Sequence, residues 1–219
     1  MRKICLGTVL AAVAFSAPAY AGIVNGDFES GDSGFTSSYG DVSAGVTQSS
    51  CFPPAVYAVN ANPNNCHSSW ASYGPHSGSL QLIVNGAEDS TLAVWSETLN
   101  VTPGTIYNFA AWGASSYSES PANLSFKING VEIGTLQLPS TTGEWTQFGA
   151  TWDSLALTSA TLSIYDLDTD YSGNDFTLDD ISFEPARTTQ ATPEPMTLVL
   201  FGSGLAGLGR LRRRRKAKA

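Results

Sequence analysis

Two cysteines, Cys51 and Cys66, stand 15 positions apart, with His67 beside the second. Oxidised, they close a short loop that would stabilise the fold by about 3 kcal/mol; as zinc ligands, the two thiols and one imidazole are an incomplete set. A disulfide is the expectation if the chain leaves the cytoplasm. The enclosed stretch holds three prolines and four asparagines, a composition that suits an exposed loop better than a strand or helix. A second grouping is Asp166, Asp168 and Asp170, spaced like the first ligands of a calcium loop. Tyr171 stands where such a loop needs glycine and Thr177 where it needs a bidentate Glu, so a solvated strand connection is the simpler reading. Catalysis finds little. His67 and His76 are the only histidines, and neither G-x-S-x-G nor H-E-x-x-H occurs. Acids are plentiful enough for glycoside hydrolysis, yet no pair stands out, and no enzyme is expected.

Charge narrows the partners. Residues 22–192 hold 18 of the 19 acids and only Lys127 and Arg187 among the bases, a net of −16 that the whole-chain value of −8 conceals. Such a body is repelled by nucleic acid and by anionic lipid, so no nucleic-acid partner is expected. Divalent cations suit it, although the same acidity also serves solubility.

The elements that position these groups are strands. Helical periodicity is almost absent, while period-two or β-branched runs recur between Gly, Pro, Asn and Ser. The pattern predicts strands over Gly22–Phe28, Ser79–Val84, Ala93–Val101, Thr105–Trp112, Asn123–Ile128, Val131–Leu138, Trp145–Trp152, Ala160–Asp166 and Phe176–Phe183. Asn129-Gly130 between two of them is a type I′ hairpin signal, and Val101-Thr-Pro-Gly-Thr reads as another tight turn. Residues 22–186 suffice for one sizeable core, and the expected fold class is all-β, a β-sandwich.

Both ends read as targeting segments. Arg2 and Lys3 precede an apolar run from Ile4 to Phe15, and Ala19-Tyr20-Ala21 forms an A-x-A cleavage site, so residues 1–21 read as a signal peptide cut by signal peptidase before Gly22. After a linker at 187–192, Pro193-Glu194-Pro195 leads into the apolar run Met196–Gly209 and a basic tail with Arg212, Arg213, Arg214 and Arg215. The 14-residue run reaches about 21 Å as a helix, against a hydrocarbon core of about 30 Å. That length suits a single transmembrane helix used in transit more than a permanent anchor, with its cations on the cytoplasmic side. Residues 193–219 resemble the PEP-CTERM sorting signal of Gram-negative bacteria. The resemblance implies an exosortase partner, passage through the inner membrane during processing, and final residence at the cell surface or in an extracellular matrix rich in polysaccharide or biofilm.

The body carries its own resemblance. Asn25-Gly-Asp-Phe-Glu-Ser-Gly, Val101-Thr-Pro-Gly-Thr-Ile-Tyr-Asn-Phe, Gly143-Glu-Trp-Thr-Gln-Phe and Phe176-Thr-Leu-Asp-Asp-Ile-Ser-Phe look like the jelly-roll β-sandwich of galactose-binding-like and carbohydrate-binding modules. That resemblance implies a structural calcium ion where the first and last strands meet, held by Glu29 and Asp179, with Asp27 and the Gly26 carbonyl as weaker candidates. Strand alternation puts Asp180 on the face opposite Asp179. The alternative for Glu29 and Asp179 is hydrogen bonding at strand ends. Sugar binding by such modules uses flat rings stacked on pyranose faces. Trp70, Tyr73 and Tyr117, in Ser, Gly and Asn-rich loops, are the candidate ligand-binding rings, whereas Trp95, Trp112, Trp145 and Trp152 lie in predicted strands and read as core. The expected function is a carbohydrate-binding surface or matrix protein that retains extracellular polysaccharide; the alternative is a purely structural matrix or adhesion protein with no specific glycan.

Overall fold

The computed structural model describes residues 22–186, which form two packed antiparallel sheets with one short 3-10 turn. The strands are β1 Gly40–Asp41, β2 Val56–Asn60, β3 Gln81–Asn85, β4 Ala93–Asn100, β5 Ile106–Ser115, β6 Asn123–Ile128, β7 Val131–Gln137, β8 Thr146–Asp153, β9 Ser159–Asp166 and β10 Phe176–Pro185. One sheet runs β1-β2-β3-β10-β5-β8 and the other β4-β9-β6-β7; the short β1 pairs parallel to β2. The expected signal peptide with Ala19 and Ala21, the linker, the Pro193-Glu194-Pro195 motif and the transmembrane segment lie outside the described residues. Among the described residues no helix is long and apolar enough to cross a membrane.

Alternation builds the sandwich. Along β5, Tyr107, Phe109 and Ala111 turn inward and are fully buried, while Ile106 and Asn108 face out. Between the sheets Phe126 stacks on Phe148 with ring centroids 3.7 Å apart and Phe109 meets Phe126 edge-on at 5.6 Å, while within the six-stranded sheet Tyr107 stacks on Phe183 at 4.7 Å. The hairpin between β6 and β7 turns at Asn129 (φ 52°) and Gly130 (φ 79°), both left-handed, as a type I′ turn requires. Of the four tryptophans expected as strand core, Trp95 and Trp152 belong to the inner layer, whereas Trp112 and Trp145, the latter just before β8, lie outside it and pack with His76.

Two expectations are corrected. Gly22–Phe28 is not a strand: Asn25 (φ 57°) and Phe28 (φ 56°) take left-handed conformations, and the Asn25 side chain holds the turn by donating to the Gly31 and Ser33 carbonyls at 2.8 Å. The segment meets the sheet where the Ile181 amide donates to the Gly26 carbonyl at 2.8 Å, and a Cβ on residue 26 would collide with the Ile181 carbonyl. The stretch inside the disulfide is not a plain exposed loop either, since it contains β2 and the 3-10 turn Pro63–Asn65. Cys51 and Cys66 are bonded as expected, with Cα atoms 5.2 Å apart, and both are fully buried. They lie with Trp70 over Val56, Ala58 and Ile83, a second apolar cluster on the outer face of the six-stranded sheet. That corner is covered on both faces, so β2 and β3 are nearly continuously buried rather than alternating.

Candidate functional site

The three rings expected to face ligand occupy different places. Trp70 is only 3% exposed; its indole Nε1 donates to Asp175 Oδ2 at 3.0 Å and its face stacks on His67 at 4.7 Å, so it supports a site from beneath. Tyr73 is tied down by its hydroxyl, 3.1 Å from both Ser116 Oγ and Thr177 Oγ1, and burial pushes its pKa up to about 12. Tyr117 and Trp70 both line an open cleft, Tyr117 partly exposed and Trp70 buried in its floor, whereas Tyr73 does not reach it.

That cleft, of about 220 Å³, lies beside the disulfide loop, between Phe52, His67, Asn85, Tyr117, Tyr171 and Asp175. Phe52 is 50% exposed and Tyr171 68%, an unusual degree for large rings in a folded domain. The disulfide loop carries the Phe52 wall, whose ring packs on His67 at 4.6 Å. The loop between β9 and β10 carries Tyr171, and Asn85 donates to the Cys51 carbonyl at 2.6 Å, fixing one loop to the sheet. Asp175 sits at the base, 6% exposed. Its Oδ1 has no hydrogen-bond partner, whereas Oδ2 accepts from Trp70. Desolvation pushes the Asp175 pKa up to about 7 against the opposing pull of the Trp70 indole and the nearby Gly86 amide. Burial also holds the His67 imidazole below its ordinary range. Flat rings around one under-used buried carboxylate are the chemistry by which proteins grip polar ligands that have apolar faces.

The acids expected at the chain ends converge on one segment. Glu29 Oε1 accepts from the amides of Ser79 at 2.6 Å and Leu80 at 2.8 Å, and Asp179 accepts from the amide of Ser77 at 3.1 Å. Asp180 departs from the alternation expected of it. A bulge between Asp179 and Ser182, with Asp180 at φ 47°, turns its carboxylate to the same segment, where it meets His76 Nδ1 at 2.5 Å and accepts from Ser77 Oγ at 2.8 Å. His76 in turn stacks on Trp112 at 4.0 Å. Asp27 takes no part in this clamp; its carboxylate accepts from the Glu29 amide at 3.4 Å. Among the described residues there is no group of three or more His, Cys, Asp or Glu side chains placed to hold a metal. The two carboxylates close on this segment by accepting from its backbone amides, the strand-end hydrogen bonding that was the alternative for Glu29 and Asp179.

No family model matches the chain, and no curated protein matches it. Solved structures do. The CBM22-1 xylan-binding domain of Paenibacillus barcinonensis Xyn10C is matched with TM-score 0.50 at 16% identity, over 80% of this chain and 100% of that one. TmCBM61, solved with β-1,4-galactotriose, is matched with TM-score 0.50 at 15% identity, over 74% and 96%. The architecture is that of carbohydrate-binding-module jelly rolls. A cyclase from Fischerella sp. TAU is matched equally well, with TM-score 0.50 at 14% identity over 78% and 100%, so the sandwich by itself does not fix an activity.

The acidic run after β9 is part of the fold. Asp166, 1% exposed, accepts through Oδ1 from the amides of Asn123 at 3.2 Å and Asp168 at 3.0 Å, while its Oδ2 has no partner; burial pushes its pKa up to about 8. Phe52, Tyr171 and Asp175 were not singled out by sequence reasoning. The available signal was a large ring beside a cysteine and another in the middle of a polar loop, the same grounds that selected Tyr117.

Proposed function

We propose that this chain is an exported, non-catalytic carbohydrate-binding protein that retains extracellular polysaccharide in the cleft between Phe52, Tyr117, Tyr171 and Asp175. Its tail at Pro193-Glu194-Pro195 is processed by an exosortase, and the mature protein resides at the surface or in the extracellular matrix of a Gram-negative bacterium. The observation that carries the binding reading is the pairing of exposed rings with a buried carboxylate whose Oδ1 lacks a partner. The disulfide supports export, since such bonds persist outside the reducing cytosol. The cleft is smaller than the roughly 300–1,000 Å³ typical of sites that engulf a whole ligand, which suits gripping one part of a long chain.

The double variant Phe52→Ala/Tyr171→Ala is expected to lose about tenfold in retention by secreted polysaccharide in affinity electrophoresis, on the scale of aromatic contacts worth about 0.5–1.5 kcal/mol each. Its thermal midpoint should stay near that of the parent because both rings are largely exposed. Undiminished retention would favour the matrix protein without a specific glycan.

Calcium between Glu29 and Asp179 is the second element of this reading. It is supported by the way both carboxylates close on Ser77–Leu80 from opposite ends of the chain. Saturating calcium at about a hundred times Kd stabilises by about 2.7 kcal/mol. A midpoint about 5 °C or more above that in EGTA is therefore expected by differential scanning fluorimetry, at about 2–4 °C per kcal/mol for a domain of this size. Superimposable melts in calcium and EGTA would remove the ion and leave the clamp to hydrogen bonds alone.

A further inference from the structure

We propose that the cleft recognises a sugar bearing a free ammonium group, so that the retained polymer contains amino sugars whose nitrogens are not acetylated. The inference rests on the carbohydrate-binding reading above and narrows its ligand class.

Three observations converge on Asp175. Its side chain lines the cleft and its buried Oδ1 has no hydrogen-bond partner, while Oδ2 is held by the Trp70 indole. A buried carboxylate left half-satisfied costs free energy, and a ligand that supplies both a donor and a positive charge recovers the most. No Lys or Arg lines the cleft; the only basic residue between 22 and 186 is Lys127, which lies over the Tyr165 ring at 4.2 Å. Burial disfavours the charged form of His67, the one other group there able to carry positive charge, so among the described residues no fixed cation competes with an incoming one.

The walls agree with the base. Exposed faces of Phe52 and Tyr171, with Tyr117 beside them, attract a cation through their ring quadrupoles as well as stacking on a pyranose face. The net charge of −16 over residues 22–192 draws a polycation toward the domain and repels polymers of uronic acids. A neutral hydroxyl would satisfy the lone pair of Oδ1 but leave the carboxylate charge uncompensated. Acetylation of the nitrogen removes the charge in the same way.

Binding is coupled to protonation of Asp175, because the proton and the ammonium compete for one carboxylate. The titratable groups that face it are His67, Tyr117 and Tyr171 in the walls and Asp166 at the end of β9, whose own pKa is raised in part by Asp175. With Asp175 titrating near pH 7, affinity for an ammonium ligand falls about tenfold per pH unit well below that point, although the amine itself stays charged.

The test is calorimetric titration of the purified protein with three oligomers of equal length: glucosamine, N-acetylglucosamine and glucuronic acid. At pH 7.5 the glucosamine oligomer is expected to bind at least about tenfold tighter than the acetylated one, the usual margin of a charged over a neutral hydrogen bond, with no measurable binding of the uronate. Asp175→Asn, which keeps an acceptor for Trp70, should erase that preference. Should this variant misfold, the unaltered protein still reports, since its preference for glucosamine must shrink between pH 7.5 and 5.5. Equal affinity for the free and acetylated amines, or a preference that survives Asp175→Asn or acidification, overturns the inference and leaves carbohydrate binding in place. If no oligomer binds and secreted polysaccharide is not retained either, the underlying reading falls with it.

Discussion

Acidification from pH 8 to pH 5, with EGTA present, is expected to raise the thermal midpoint of this protein by roughly 10 °C, opposite to the acid sensitivity of most folded proteins. Burial pushes the pKa of Asp166 up to about 8, that of Asp175 up to about 7 and that of Asp179 up to about 6. In the unfolded chain each returns to about 3.9. Between those limits the folded state binds more protons than the unfolded one, so stability falls as pH rises from about 4 through the folded values. Each unit of difference is worth about 1.36 kcal/mol, and the three groups together give several kcal/mol, moderated by any local opening that admits water. Relief of the −16 net charge acts in the same direction but is spread over the surface. The two contributions separate in Asp166→Asn, which should flatten the slope between pH 6 and 8. A midpoint that is level or rising from pH 5 to 8 would contradict the burial of charge described here.

Removing the disulfide is expected to be equally costly and more local. For Cys51→Ser/Cys66→Ser the loss is about 3 kcal/mol from loop entropy, or roughly 6–12 °C in the midpoint of a domain of this size. The damage should concentrate at the cleft. Both sulfurs are fully buried under Trp70, the Cys51 amide donates to the Cys66 carbonyl at 3.0 Å, and Asn85 is anchored on the Cys51 carbonyl. Phe52 follows directly in the chain, so a loosened loop displaces one wall of the site. Scanning fluorimetry with and without reductant, paired with polysaccharide retention, checks both parts. A reduced protein with unchanged melting and retention would show that the loop is held by packing alone.

Much of the sandwich was readable before any coordinates, because its strands alternate. Asn123–Ile128 occurs as expected, and the inner series Tyr107, Phe109, Ala111 and Ala160, Leu162, Ile164 carry the period of two that half-buried strands require. Reading failed where the physics is not local. Val56–Asn60 is buried on both faces, so it has no alternation, and its neighbouring prolines and asparagines hid it. Gly22–Phe28 has the composition of a strand start, but Asn25 and Phe28 turn left-handed to meet the bulge in β10. The same bulge brought Asp180 beside Asp179, which no spacing rule anticipates. Tyr117, conspicuous in sequence as a ring in a polar loop, does line the cleft. Trp70 met the same criterion and is buried, since it packs on a disulfide whose partners the local sequence does not bring together. Asp175 becomes notable only once its unpaired oxygen is seen.

The course of β10 bears on how the protein carries load. Asp175 stands just before this strand and Ala186 just after it, and the ten residues between them span about 30 Å at the usual rise per residue. Between them β10 is laced to β5 on both sides of its bulge, over Phe176–Asp179 and Ser182–Pro185, and to β3 over Phe176–Leu178. Under the binding proposed above, a pull between a polymer held at Asp175 and the chain at Ala186 runs parallel to the strand. The ladder resists it in shear, many bonds at once, rather than peeling apart one rung at a time.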